Sequence, residues 1–228
     1  MARKLGTITL AMLLATITVC LLSTGASAQI EFFYGVSYFS NAHTSGAPDA
    51  TTRVINPGTN GTAVDVCAST YVFDFNEQLA ECCSCRVTPN GELELSTNQL
   101  TRNPGNGFPI THGAIKIVAT LPNPATGKCD ATQGSGAITF GLDAWQTHVQ
   151  RVSAGTSLSN FALTETAYTF SFGSSTTSQN ELAIEAAELT DLQEDCTEIV
   201  ELDSGNGQCQ ASAVNAVGTP AGAANCVQ

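Results

Sequence analysis

The chain has 228 residues, 43% of them hydrophobic and 12% charged, with 20 acids against 8 bases. That apolar content is too high for a disordered chain, and no Gly-X-Y period marks a collagen. A formal charge of −12 repels phosphate backbones and anionic lipid headgroups alike, which excludes nucleic acid as a partner and a polybasic contact with a membrane.

Arg3 and Lys4 precede a stretch, residues 5–22, that carries no charge and is rich in Leu, Ile, Val and Ala. Ala26-Ser27-Ala28 then supplies the small-x-small pattern read by signal peptidase, so residues 1–28 are expected to be a signal peptide cleaved before Gln29. The rival reading is an uncleaved anchor, since such a stretch just spans a bilayer. The cleavage pattern directly behind it favours removal. Cys20 follows Val19 where a lipobox requires a small residue, which argues against lipidation. The expected product is a 200-residue secreted or periplasmic chain of charge −14, with no second long apolar run to hold it in a membrane.

Residues 31–39 alternate, placing Phe32, Tyr34, Val36 and Tyr38 on one face of a strand. Turn residues Ser45, Gly46, Pro48 and Asp49 mark the loop that follows. Residues 64–75 are apolar on both faces, the pattern of a strand at the centre of a sandwich. Thr88-Pro89-Asn90-Gly91 predicts a turn into a half-buried strand, with Leu93 and Leu95 inward and Glu92 and Glu94 facing solvent. Ile115, Ile117, Ala119 and Leu121 share one face of the next strand. Ile138, Phe140, Leu142 and Ala144 share another, with Trp145 on its opposite side. Thr164, Thr166, Tyr168, Phe170 and Phe172 mark a later one. Short strands separated by Gly, Pro and Asn loops predict an antiparallel β-sandwich of seven to nine strands in preference to alternating β-α units.

One segment has a helical period. Ser178 and Glu181 match a capping box, and Leu182, Ala186, Leu189, Cys196 and Ile199 recur at helical spacing before Gly205 and Gly207. This predicts one C-terminal helix near 180–197, with a break at Thr190, which has Gln193 three residues on as its capping partner. Nine acids and no base lie between Glu181 and Asp203. A calcium surface was weighed against a solvated helix face; the face is preferred, because calcium loops set oxygens at fixed loop positions around a glycine. The domain is expected to run over 29–210, followed by a small-residue tail, 211–228, tied down by Cys226.

Removing Cys20 with the leader leaves eight cysteines: Cys67, Cys82, Cys83, Cys85, Cys129, Cys196, Cys209 and Cys226. An even number in an exported chain reads as four disulfides. Eight cysteines allow 105 connectivities; requiring each of Cys82, Cys83 and Cys85 to pair outward still leaves about 60, so the pairing stays open. Two functional readings compete. Cys82 and Cys85 have redox C-x-x-C spacing with Arg86 beside them to favour a thiolate, and three thiolates suit zinc or cuprous copper. The first lacks a helix that carries the motif at its N-terminus, and the second lacks further spaced ligands, so structural disulfides are preferred.

Other chemistry is sparse. His43, His112 and His148 fit no spaced metal motif, Asp203-Ser204-Gly205 lacks a nucleophile elbow, and Gly127-Lys128 lacks the rest of a P-loop. Asp65, Asp74, Glu77, Asp143 and Glu165 are all eligible as paired carboxylates for glycoside hydrolysis, and their spacing singles out none. Two aromatic features suit carbohydrate stacking, the strand 32–39 and Trp145; an aromatic strand is ordinarily core, and Trp145 is the candidate ligand surface. Asn60-Gly61-Thr62 is a glycosylation sequon. Asn-Pro-Gly occurs at 56–58 and again at 103–105, an echo that turn chemistry explains.

The run Tyr71-Val72-Phe73-Asp74, Glu77-Gln78, Glu81-Cys82-Cys83-Ser84-Cys85 and Thr88-Pro89-Asn90-Gly91 resembles a group of exported proteins from soil Acidobacteria, as do Glu188-Leu189, Cys196 and Ser204-Gly205-x-Gly207-x-Cys209. The similarity spans about half of the expected product, and Cys-Cys-x-Cys is its most specific part. It implies a bacterial secreted protein and brings no activity, ligand or site residue with it. The tail departs from the pattern: only Cys226 follows Cys209, where a closely spaced cysteine is usual.

These features predict a secreted, non-enzymatic module of the cell envelope or extracellular matrix, serving adhesion, assembly or polymer binding. Its expected partners are an extracellular polysaccharide or a second copy of the chain, the latter through strand addition by the aromatic strand of residues 31–39. The alternatives are an extracellular hydrolase using strand-end carboxylates and a thiol oxidoreductase at Cys82. No catalytic residue, cofactor site or metal ligand is nominated.

Overall fold

Eight strands of six to nine residues and two of two residues form two antiparallel sheets. The computed structural model describes residues 34–58, 64–102, 109–132, 136–170, 179–201 and 226–227. In chain order the elements are β1 (Tyr34–Phe39), β2 (Thr51–Asn56), β3 (Val66–Asp74), β4 (Leu79–Val87), β5 (Gly91–Ser96), the single-turn α1 (Thr97–Leu100), β6 (Gly113–Thr120), β7 (Asp143–Arg151), β8 (Phe161–Ala167), β9 (Thr169–Phe170), α2 (Gln179–Glu201) and β10 (Cys226–Val227). One sheet has the order β10-β4-β3-β6-β1-β9 and the other β5-β2-β7-β8. The fold is a disulfide-stapled β-sandwich with a C-terminal helix, as the strand and loop pattern predicts.

The apolar strand of residues 64–75 is β3, third in the six-stranded sheet and buried on both faces from Val66 to Val72. One face, with Val66, Ala68 and Val72 joined by Ile115, Ile117, Ala119 and Phe39, lies against the inner face of the other sheet, where Val54, Leu93, Leu95 and Ala144 are each at most 2% exposed. Its opposite face carries Tyr71, which donates to the Ala131 carbonyl at 3.0 Å and so fastens the loop 121–132. Burial, and then the nearby Asp130 charge, push that phenol above its ordinary range.

Helix α2 covers the same outer face. Leu189, Leu192 and Cys196 are buried, while Asp191, Glu194, Asp195, Glu198 and Glu201 are exposed, so the acids form a solvated face. Glu188 receives hydrogen bonds from Tyr34 of β1 and Lys116 of β6. Burial pushes the Glu188 carboxyl up, but those hydrogen bonds and the Lys116 charge outweigh it and hold the group below the usual carboxylate range. The helix passes through Thr190 unbroken, because its hydroxyl donates back to the Ala186 carbonyl at 2.9 Å and forms no cap. Ser178 of the expected capping box lies outside the described residues.

Several expectations about strands are corrected. Residues 51–56 and 79–87, for which the residue pattern predicts no strand, are β2 and β4. The strand expected from Ile138 begins at Asp143; Ile138 makes only an isolated bridge to Thr120, and Gly141 breaks the run with φ +117°. The segment 164–170 is two strands, since the chain leaves the four-stranded sheet after Ala167 and joins the six-stranded sheet at Thr169; Phe172 lies outside the described residues. The 88–91 turn forms as expected: Pro89 leads, Asn90 takes φ +59°, and the Gly91 amide donates to the Thr88 carbonyl at 2.7 Å.

Strand β1 pairs with β6 along its whole length and, on its other edge, with β9 at Gly35 and Val36. Tyr34 and Phe39 are core, whereas Tyr38 is 53% exposed. Residues 31–33, the signal segment, the sequon and residues 211–225 of the tail lie outside the described residues.

Candidate functional site

Alternation puts Cys82 and Cys85 on opposite faces of β4, so this C-x-x-C spacing does not bring the two sulfurs together. Cys82 bridges to Cys196 of α2, Cys85 to Cys226 of β10, and Cys67 of β3 to Cys129 in the loop. Cys83 is disulfide-bonded as well; Cys209, expected in the same framework, lies outside the described residues. Among the described residues no group of three or more His, Cys, Asp or Glu is arranged to hold a metal ion.

Each histidine has a side-chain contact, although His148 Nδ1 is buried without a hydrogen-bond partner. His43 Nε2 lies 2.9 Å from the Thr101 hydroxyl, and His112 stacks on Phe75. His148 is 2% exposed, stacked on Tyr38 with ring centroids 4.2 Å apart and hydrogen-bonded to Thr166 at 2.5 Å. Burial lowers its pKa below 6.5, and the Tyr38 backbone carbonyl only partly offsets this. The unfolded chain therefore takes up the proton first: the stability His148 contributes is complete above about pH 6.5 and is lost as the pH falls through the folded-state value. The melting temperature measured between pH 7.5 and 5 should fall more steeply in the wild type than in His148→Gln. Equal slopes would refute the assignment.

The eligible carboxylates separate into two groups. Asp65 pairs with Arg86 at 3.2 Å, and Asp74 accepts from the Asn76 and Gln78 amides in the β3–β4 turn that holds Glu77 at φ +64°, so these three serve local structure. Asp143 and Glu165 instead reach the outer face of the four-stranded sheet, and so does Trp145.

Register builds that face row by row. Glu94, Arg53, Trp145 and Ala167 stand side by side on β5, β2, β7 and β8. One row away, Ile55 stands between Glu92 and Asp143. On the other side Thr51 and Thr147 share a hydrogen bond of 3.2 Å, and Thr147 faces Glu165. Arg53 reaches across β7 to Glu165 at 2.6 Å and lies 4.0 Å from Glu94. Pairs this exposed contribute at most about 1 kcal/mol, so their effect is to fix the guanidinium beside Trp145 rather than to hold the fold. Trp145, Thr147 and Arg53 are half-buried, and Glu92, Leu163 and Ala167 are exposed. Ala47, Ala50 and Phe161 pack on Val149 at one end of the face, leaving the central rows at the surface.

Asp143 stands apart. It is 5% exposed, its Oδ1 has no hydrogen-bond partner, and burial raises its pKa. Arg53 is a member of this face that residue patterns do not place, because β2 is not legible as a strand; Glu92 and Glu94, alternating with Leu93 and Leu95, are placed facing solvent on β5.

What the geometry defines is a disulfide-stapled antiparallel β-sandwich with one sheet covered by helix and loop and the other presenting a mixed face around a half-buried tryptophan. No protein family, curated protein or solved structure matches the chain. Among the described residues no helix is long and apolar enough to cross a membrane.

Proposed function

We propose that the protein is exported and acts as an extracellular binding module, taking a polysaccharide across the outer face of the β5-β2-β7-β8 sheet. The observation that carries this reading is Trp145 at the middle of the face, beside Arg53 and Thr147 and within a row or two of Glu94 and Glu165. A surface joining an aromatic ring to hydrogen-bonding groups matches a sugar ring, which has apolar C–H faces and hydroxyls at its rim. The disulfides support an oxidising compartment. With six cysteines already in three bridges among the described residues, a thiol oxidoreductase has less support, and three of the five eligible acids serve local structure.

Affinity electrophoresis through gels containing soluble polysaccharides tests the reading. The wild type should be retarded by at least one polymer, and Trp145→Ala should weaken that binding about tenfold, the loss typical of a central aromatic anchor. Its melting temperature should change little, because Trp145 is outside the sandwich core. Free migration of the wild type through every gel, or equal retardation of Trp145→Ala, would remove the proposal.

A further inference from the structure

We infer that Asp143 is the polar anchor of the Trp145 face and that the polymer bound there is a neutral polysaccharide. This inference rests on the binding reading above. Asp143 and Trp145 are two residues apart on β7, so strand alternation sets them on the same outer face in adjacent rows. A carboxylate 5% exposed with an unpartnered Oδ1 is an expensive residue for a fold to keep. No hydrogen bond or ion pair within the described sandwich uses it. Asp65, Asp74, Glu165 and Glu188 all have partners, whereas the buried Oδ1 of Asp143 has none. Rotation of the carboxyl about its side-chain bonds would bring the buried Oδ1 to a hydroxyl of a ligand stacked on the neighbouring indole, which would supply the missing partner.

The charge of the surroundings selects the ligand class. Glu92, Glu94, Glu165 and Asp143 share the face with two cations, Arg53, which Glu165 already engages, and Arg151 at its far end, which lies over the Phe161 ring. The whole chain carries a formal charge of −12. Uronates and sulfated polymers meet repulsion from both, whereas neutral hydroxyls do not. The acids then act as hydrogen-bond acceptors for a neutral chain.

The test uses the full-length protein, two substitutions and two kinds of probe. Hydroxyethylcellulose, xyloglucan and soluble starch represent neutral polymers; carboxymethylcellulose and polygalacturonate represent anionic ones. Asp143→Leu, similar in volume, should weaken binding to the retarding neutral polymer about tenfold while raising the melting temperature at pH 7. Asp143→Asn should raise the melting temperature too, yet keep affinity within about threefold, because the amide oxygen still accepts a hydroxyl proton. A raised folded-state pKa means that the native state holds its proton more tightly than the unfolded chain, so both stability gains should vanish as the pH is lowered towards 3.8. Unchanged binding by Asp143→Leu, with Trp145→Ala still defective, overturns the anchor while the binding reading survives. Tighter binding to the anionic polymers overturns the ligand class. Loss of effect in Trp145→Ala itself overturns the reading beneath both.

Discussion

Removing the Cys82–Cys196 bridge by the double substitution Cys82→Ala/Cys196→Ala should destabilise the protein by about 4–5 kcal/mol, since the crosslink spans 114 residues and restricts the unfolded chain accordingly. For a domain of this size that corresponds to a fall in melting temperature of about 8–20 °C. The effect should be local before it is global. Among the described residues α2 rests on the six-stranded sheet through Leu189, Leu192, Cys196 and the contact of Glu188 with Lys116 and Tyr34. Glu188 is partly exposed, so the ion pair alone holds the helix weakly. Hydrogen exchange should accordingly accelerate first across 186–201 while β3 and β6 stay protected. A variant with wild-type melting temperature and wild-type protection in α2 would show that the bridge does not clamp the helix.

The second large effect is expected at Gln146, which lies on the inner face of β7 and is fully buried. Its Oε1 accepts from Thr52 and, at 3.0 Å, from Tyr168, and its Nε2 donates to Thr97 at 3.2 Å. One amide thus satisfies hydroxyls from β2, from the β8–β9 crossover and from α1. Burial pushes the Tyr168 phenol up, and its hydrogen bond with Thr52 only tempers this, so the phenol stays protonated and continues to donate. Gln146→Leu keeps the volume but strands these hydroxyls, of which Thr52 and Tyr168, 3.2 Å apart, can partly repair each other. The expected cost is about 3 kcal/mol, or about 6–12 °C in melting temperature, read by thermal or urea unfolding. A loss below about 1 kcal/mol would mean that the network repartners and contributes little.

Legibility followed exposure of pattern. Strand β3 was visible because a central strand is apolar on both faces, and β5 because Leu93 and Leu95 alternate with glutamates. Strand β2 was not, since its inner face carries Thr52 and Asn56 beside Val54; Asn56, which donates to the Val64 and Val87 carbonyls at 3.0 Å, reads as a turn residue until those acceptors exist. Cysteine content hid β4 in the same way. At the candidate site Trp145 was singled out and Asp143 and Glu165 were nominated among five acids, but nothing in their order in the chain distinguished them from Asp65, Asp74 and Glu77.

By itself the order of residues determined the class: an antiparallel sandwich, a late helix with an acidic solvent face, and cysteines enough to staple both. Those properties are local, because periodicity and turn chemistry act over a few residues at a time. Which cysteine meets which, where the chain crosses from one sheet to the other at Tyr168, and that Arg53, Trp145 and Asp143 share one face were decided by tertiary structure. Residues 53, 145 and 165 become neighbours only when three strands from distant parts of the chain settle into register, and that register is set by burial summed over the whole core.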